Sequence, residues 1–109
     1  MMVCRKRVWI GLAHIVPRKG TLPFPSADTI GAYTNVLAWA ENEGDFVRKA
    51  TQWLRRLDFK VVGIEDIEPY SMRPAAGRII SKKVRGLERL VRKDHRTRVD
   101  TIYTYSNDE

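Results

Sequence analysis

The sequence has little of what disulfide-stabilised proteins, membrane proteins and metalloproteins require. Its 109 residues include one cysteine, Cys4, so no intramolecular disulfide can form, and a lone thiol is typical of a reducing compartment. No apolar run approaches the roughly 18 residues of a membrane-spanning helix. His14 and His95, the two histidines, have no Cys, Asp or Glu at zinc-ligand spacing. We therefore expect a cytoplasmic protein without a metal or a cofactor.

Catalytic motifs are missing as well. The acidic group Glu65, Asp66 and Glu68 lacks a loop of oxygen ligands at calcium-binding spacing, so pairing with the chain's own basic groups or simple solvation explains it better. There is no internal repeat and no low-complexity segment. With 43% apolar and 30% charged residues, the composition predicts one globular domain over residues 1–109. A binding protein is a better expectation than an enzyme.

Hydrophobic periodicity predicts the order β-β-α-β-α-β. The predicted strands cover residues 8–16, 30–40, 59–67 and 97–106, and the predicted helices cover residues 42–58 and 75–94. Residues 30–40 also fit helical spacing, but Gly31, Thr34 and Asn35 weaken a helix interior and favour the strand. Asn42 and Asp45 form a capping-box pattern at the start of the first helix, whose apolar face includes Trp53.

The predicted fold is α+β, a four-stranded, mainly antiparallel sheet with two helices on one face. This arrangement leaves the other face open, although the first two strands are apolar on both sides. Either the loop over residues 17–29 or a second subunit would cover that face. We favour a homodimer, with Trp9, Trp39 and Phe24 as candidate interface residues.

A basic stripe on the second helix is the most informative feature of the sequence. Residues 71–98 contain ten Lys/Arg and two acids, a balance of +8, whereas the whole chain nets +7. At 100° per residue, six cations fall within about 80° of arc. They are Arg78, Lys82, Arg85, Arg89, Arg92 and Arg96. The apolar residues of this helix lie on the opposite side, which predicts that they pack on the sheet.

The stripe has three interpretations. It can be a solvated exterior, but solvated helix faces usually mix charges, because like charges at i,i+4 are destabilising. It can bind nucleic-acid phosphates, although no nucleic-acid-binding motif accompanies it. It can also bind an acidic protein, since arginine suits carboxylates and phosphates alike. A membrane surface is disfavoured, because the apolar face of the helix is needed for the core.

Part of the chain resembles small uncharacterised bacterial α+β proteins, some of which are immunity proteins encoded beside toxin genes. The resemblance covers residues 31–40, the helix over 45–57 and the strand over 59–70. It implies a non-enzymatic binding protein, although immunity proteins that block nucleases are typically acidic. We therefore expect the second helix to dock an acidic macromolecule. A protein partner is placed ahead of the alternative, a nucleic-acid-binding or regulatory module.

Overall fold

The computed structural model describes residues 6–17, 29–73 and 80–106. Several features discussed above lie outside the described residues. They are Cys4, Phe24, Arg78 and residues 18–28 of the predicted loop.

The strands and helices follow one another in the predicted order. They are β1 (Arg7–Pro17), β2 (Thr29–Ala40), α1 (Glu43–Arg56), β3 (Phe59–Pro69), α2 (Lys82–Asp94), β4 (Arg98–Val99) and β5 (Tyr103–Ser106). A short 3-10 turn, Tyr70–Met72, follows β3. The pairings are antiparallel, in the order β3-β1-β2-β4, and β5 also pairs with β2. The predicted α+β class and element order are confirmed, and residues 30–40 form a strand.

The last predicted strand is divided into β4 and β5, both of which pair with β2. Between them, the carbonyl of Asp100 accepts a hydrogen bond from the buried hydroxyl of Thr34 (Oγ1 to O, 3.0 Å). The N–H of Asp100 donates to the carbonyl of Asn35 at 2.9 Å. These two bonds hold the connection against the sheet where the strand ladder is interrupted.

Helix α1 begins with the predicted N-cap, Asn42, but the second bond of the capping box differs, because Asp45 bonds the N–H of Glu41 and not that of the N-cap itself. Asn42 Oδ1 accepts a hydrogen bond from the N–H of Asp45 at 2.8 Å, and Asp45 Oδ2 accepts one from the N–H of Glu41 at 3.2 Å. Both bonds satisfy backbone donors at a helix start, where no helical carbonyl is available. The helix then buries Phe46 and Leu54 against the sheet.

Helix α2 is shorter at its start than predicted. Ser81 has an extended backbone, and its Oγ accepts a hydrogen bond from the N–H of Val84 at 3.2 Å. Because this serine is the N-cap, the helix begins at Lys82. The prediction of a continuous helix from residue 75 is therefore wrong at Ile80 and Ser81. At the other end, His95 has left-handed backbone angles (φ 59°, ψ 21°) and ends the helix after Asp94.

The two helices cover opposite faces of the sheet, not the same face as predicted. Neighbouring residues of a strand point to opposite faces, and the two core clusters divide β1 and β2 in this way. The cluster under α1 includes Ala13, Ile15, Val36 and Ala38. The cluster under α2 includes Val8, Ile10, Leu37 and Trp39. Each helix therefore buries one apolar side of the two central strands, which explains why both sides are apolar.

Candidate functional site

The outward side of α2 is the candidate docking surface. Its central residues are Lys82, Arg85, Gly86 and Arg89, which are exposed and line a shallow depression of about 440 Å³; we call these four residues the α2 surface. A β-carbon built on Gly86 would meet nothing within 4 Å in the described part of the chain. The glycine thus leaves a gap between three cations, and no described contact within the protein requires it.

Two other cations of α2 are paired with nearby acids. Arg92 pairs with Glu88 (Nε to Oε2, 3.1 Å), and Lys83 lies 3.7 Å from the carboxylate of Asp100. By contrast, within residues 6–17, 29–73 and 80–106, no carboxylate lies within 4.0 Å of the charged groups of the α2 surface. Three positive charges are therefore concentrated on this surface.

Tyr70 lies beside the same helix, although nothing in its sequence context marked it as part of the site. Burial raises the pKa of its hydroxyl, and the negative charge of Glu88 adds to this effect. The positive charges of Arg85, Arg89 and Arg92 act in the opposite direction. The phenol therefore stays neutral at physiological pH and can donate a hydrogen bond at the edge of the basic helix.

Arg96 does not continue the stripe, because the chain turns at His95 before reaching it. The N–H of Arg96 donates to Asp94 Oδ1 at 3.0 Å, and Asp94 also forms an ion pair with Arg98. The hydrogen bond from Arg96 holds the pKa of Asp94 below its ordinary value; partial burial opposes this effect, and the bond and charge of Arg98 add to it. Asp94 thus fixes the turn that carries Arg96 away from α2.

Arg96 instead joins a second basic group on α1. A pocket of about 370 Å³ lies between α1 and the turn after α2, and we call it the α1 pocket. It is lined by Lys49, Gln52, Trp53, Arg56, Arg96 and Thr97. No acidic side chain of the described residues lines it. The structure therefore divides the predicted stripe between two separate basic surfaces.

Trp53 is not part of the hydrophobic core, contrary to its predicted place on the buried face of α1. That face is centred on Ala50, which is fully buried, and at 100° per residue Trp53 lies about 60° to one side of it. The indole is half-buried and lines the α1 pocket. Sequence periodicity placed Trp53 on the apolar side correctly but did not distinguish its centre from its margin.

The predicted interface residues Trp9 and Trp39 make contacts within the chain. Trp9 packs against the core under α1, and the guanidinium of Arg7 lies 5.7 Å from the centre of its ring. Trp39 packs under α2, and its carbonyl accepts a hydrogen bond from Lys49 Nζ at 2.5 Å. Their role at a dimer interface stays a prediction, as does that of Phe24, which lies outside the described residues.

The acidic group near the end of β3 includes a pair with one of the chain's own basic residues. Arg73 Nε lies 2.9 Å from Glu68 Oε1, and Arg73 also donates to the carbonyl of Asp66 at 2.9 Å. Within the described ranges, no three His, Cys, Asp or Glu side chains cluster as metal ligands. None of the helices in those ranges is long and apolar enough to cross a membrane.

No family model matches the chain, and neither a curated protein nor a solved structure shows significant similarity to it. The two basic surfaces are therefore interpreted from their own geometry and charge.

Proposed function

We propose that this protein is a non-enzymatic binding protein that docks an acidic protein through the α2 surface. The carrying observation is that Lys82, Arg85 and Arg89 surround Gly86 without a described carboxylate partner. Like charges at this spacing destabilise a helix, and a glycine in its interior costs about 1 kcal/mol relative to alanine. An acidic partner would offset the repulsion between the three cations and would occupy the gap at Gly86. Binding would therefore give a function to two features that destabilise the helix.

A protein partner suits the surroundings of the α2 surface. Leu90 follows Arg89 and is 42% exposed, so an apolar contact is available beside the cations. Protein interfaces combine such contacts with arginine, whose planar guanidinium binds carboxylates with two hydrogen bonds. Helix α2 carries no Phe, Trp or Tyr on which a base could stack. The resemblance of residues 31–40, 45–57 and 59–70 to small uncharacterised bacterial α+β proteins, some of which are immunity proteins, implies the same class of function.

Nucleic acid is the second candidate. Lys82, Arg85 and Arg89 follow one side of α2 at intervals of three and four residues, so they form a row of positive charge. Such a row neutralises successive phosphates without reading base sequence. Under this alternative the protein is a nucleic-acid-binding or regulatory module that uses the same helix.

A comparison of three polyanions tests both candidates. Poly-L-glutamate, mixed-sequence duplex DNA and mixed-sequence RNA are titrated into the protein at several salt concentrations. Docking of an acidic protein predicts that poly-L-glutamate binds at low salt and that Arg85→Glu with Arg89→Glu removes this binding. Arg55→Glu with Lys60→Glu, which change the net charge equally on exposed positions of α1 and β3, should retain most of it.

The results separate the alternatives. Tighter binding of DNA or RNA, with a steep salt dependence that the α2 double variant flattens, would favour nucleic acid. Absence of binding to all three polyanions at low salt would overturn docking through α2. Equal losses in the two double variants would assign the binding to net charge alone.

The protein is also proposed to form a homodimer, although the uncovered apolar part of the sheet is smaller than the sequence suggested. Helix α2 covers only one end of its sheet face, and no described helix covers the half-buried Leu12, His14 and Tyr33 at the other end. Tyr103 pairs with Tyr33 and is 59% exposed. In a homodimer, a second copy of the chain would cover these residues. The proposed location of the protein is cytoplasmic. Sedimentation that shows only monomer at high concentration would rule out the homodimer.

A further inference from the structure

The α1 pocket combines an aromatic ring with positive charge, and it is separate from the α2 surface. Trp53 lines it, and its indole is only half-buried. Leaving a large aromatic half-exposed forgoes part of the stabilisation that its burial would give. A flat aromatic ring beside charged groups suits a ligand that itself contains both an aromatic ring and a charged group.

The charged side chains that line the α1 pocket with Trp53 are all positive. Lys49, Arg56 and Arg96 line the pocket, and in the described part of the chain neither arginine has a carboxylate within 4.0 Å. Two described acids lie beside these residues, and both are already engaged. Asp45 is shared between Lys49 at 3.5 Å and Arg48 at 2.6 Å, and Asp94 accepts the N–H of Arg96 at 3.0 Å and pairs with Arg98. The pocket therefore favours an anion over a cation or a neutral molecule.

The ammonium of Lys49 and the backbone of Arg96 are held in place before any ligand binds. Lys49 donates to the carbonyl of Trp39, which fixes its ammonium at the side of the pocket. The backbone of Arg96 is fixed by its hydrogen bond to Asp94. Preorganised groups lose less conformational entropy when a ligand arrives, so they bind it more tightly. Gln52 and Thr97 add neutral hydrogen-bonding groups to the same wall.

We propose that the α1 pocket binds a nucleoside phosphate. The base stacks on Trp53, and the phosphate lies among Lys49, Arg56 and Arg96. Base–indole stacking tolerates any base, and arginine pairs with phosphate through two parallel hydrogen bonds. The volume of about 370 Å³ lies at the lower end of the range for small-molecule sites, about 300–1,000 Å³. This site is independent of the proposed function, because it shares no residue with the α2 surface.

Titration of the full-length protein with AMP tests the proposal, with adenosine and inorganic phosphate as partial ligands. Calorimetry at about 0.1 M salt, where charges more than about 10 Å apart are largely screened, gives the affinities. NMR of the indole N–H groups reports which tryptophan is contacted, with Trp53→Phe assigning its signal. AMP should bind at least tenfold more tightly than either partial ligand and should shift the Trp53 signal. Arg56→Glu with Arg96→Glu should weaken AMP binding tenfold or more, and Trp53→Leu should weaken it about tenfold.

Two control variants separate this proposal from docking through α2. Arg85→Glu with Arg89→Glu should leave the AMP affinity within about twofold of the parent, and Arg55→Glu with Lys60→Glu should do the same. The pocket variants should in turn retain poly-L-glutamate binding. The proposal is overturned by absence of AMP binding at millimolar concentration. It is equally overturned if inorganic phosphate binds as tightly as AMP, or if the Trp53 signal does not move. Circular dichroism of each variant checks that it is folded.

Discussion

The imidazole of His95 lies flat against the indole of Trp39, with ring centroids 4.1 Å apart and planes within 5° of parallel. His95 ends α2 in the left-handed region, and its N–H donates to the carbonyl of Val91 at 2.7 Å. The stack therefore joins the end of α2 to the end of β2. It also stands where the chain leaves the α2 surface and turns towards the α1 pocket.

The first prediction concerns this stack. His95→Ala should lower the free energy of unfolding by about 1 kcal/mol, because it removes an aromatic pair worth about 0.5–1.5 kcal/mol and keeps a β-carbon in the left-handed region. His95→Gly loses the same pair but relieves a left-handed cost of about 1–2 kcal/mol, so it should be close to the parent. Urea denaturation measures both variants. If the alanine variant is as stable as the glycine variant, the left-handed backbone at position 95 does not cost the free energy assumed here.

The second prediction concerns the contact between β1 and α1. A β-carbon on Gly11 would lie 2.9 Å from Phe46 Cε2 and 3.0 Å from Ile64 Cγ2, both closer than ordinary contact. Because Phe46 is fully buried, it has little room to yield. Gly11→Ala should therefore lower the free energy of unfolding by about 1–3 kcal/mol, as measured by urea denaturation.

Gly63 provides the matched control, since a β-carbon there would meet nothing within 4 Å in the described part of the chain. Gly63→Ala should change stability by less than Gly11→Ala does. Phe46→Leu should partly restore the Gly11→Ala variant, because a smaller side chain makes room for the added methyl group. Equal effects of the two alanine variants would show that crowding against α1 is not the cause.

Local signals in the sequence predicted the helices and strands of this fold. They did not predict the face of the sheet on which each helix packs. The capping box of Asn42 and Asp45 and the apolar spacing of the strands act within a few residues, so they are readable from sequence. The face on which α2 packs depends on the path of the chain from β3 to α2, which periodicity does not encode. The double-sided apolar pattern of β1 and β2 was therefore attributed to an open face, although it reflects one helix on each side.

The candidate site was predictable to the same degree. The helical wheel identified Lys82, Arg85 and Arg89, because the segment is a regular helix in which residues at this spacing lie on one side. Arg96 was assigned to the same stripe because the wheel assumes a continuous helix, whereas the chain turns at His95. The α1 pocket could not be found, because the residues of α1 and the turn that form it are about forty positions apart and meet only in the folded chain.

The third prediction concerns the pH dependence of the turn after α2. The hydrogen bond from Arg96 is the largest cause that lowers the pKa of Asp94 below its ordinary value of 3.8. A carboxylate with a lowered pKa in the folded state stabilises the fold above its unfolded pKa and loses this contribution as the pH falls through its folded pKa. The parent should therefore exceed Asp94→Asn in stability by a constant amount from pH 7 to 5. The difference should shrink below about pH 4. Urea denaturation at these pH values measures it, and a difference that grows on acidification would contradict the assignment.

The fourth prediction separates the cost of the α2 surface from its use. Gly86→Ala should raise the free energy of unfolding by about 1 kcal/mol, because alanine is the better helix former and its methyl group meets no described atom within 4 Å. The same methyl group enters the depression between Lys82, Arg85 and Arg89, so poly-L-glutamate should bind several-fold more weakly.

Gly44→Ala in the first turn of α1 is the matched control for Gly86→Ala. Its β-carbon would make an ordinary 3.5 Å contact with Asn42 Oδ1, and it lies far in sequence from α2. This variant should bind poly-L-glutamate as the parent does. A more stable Gly86→Ala protein with weaker binding indicates that the glycine is kept for a partner, because the fold alone would gain from its replacement. If Gly86→Ala binds as tightly as the parent, the gap between the three cations is not where the polyanion lies.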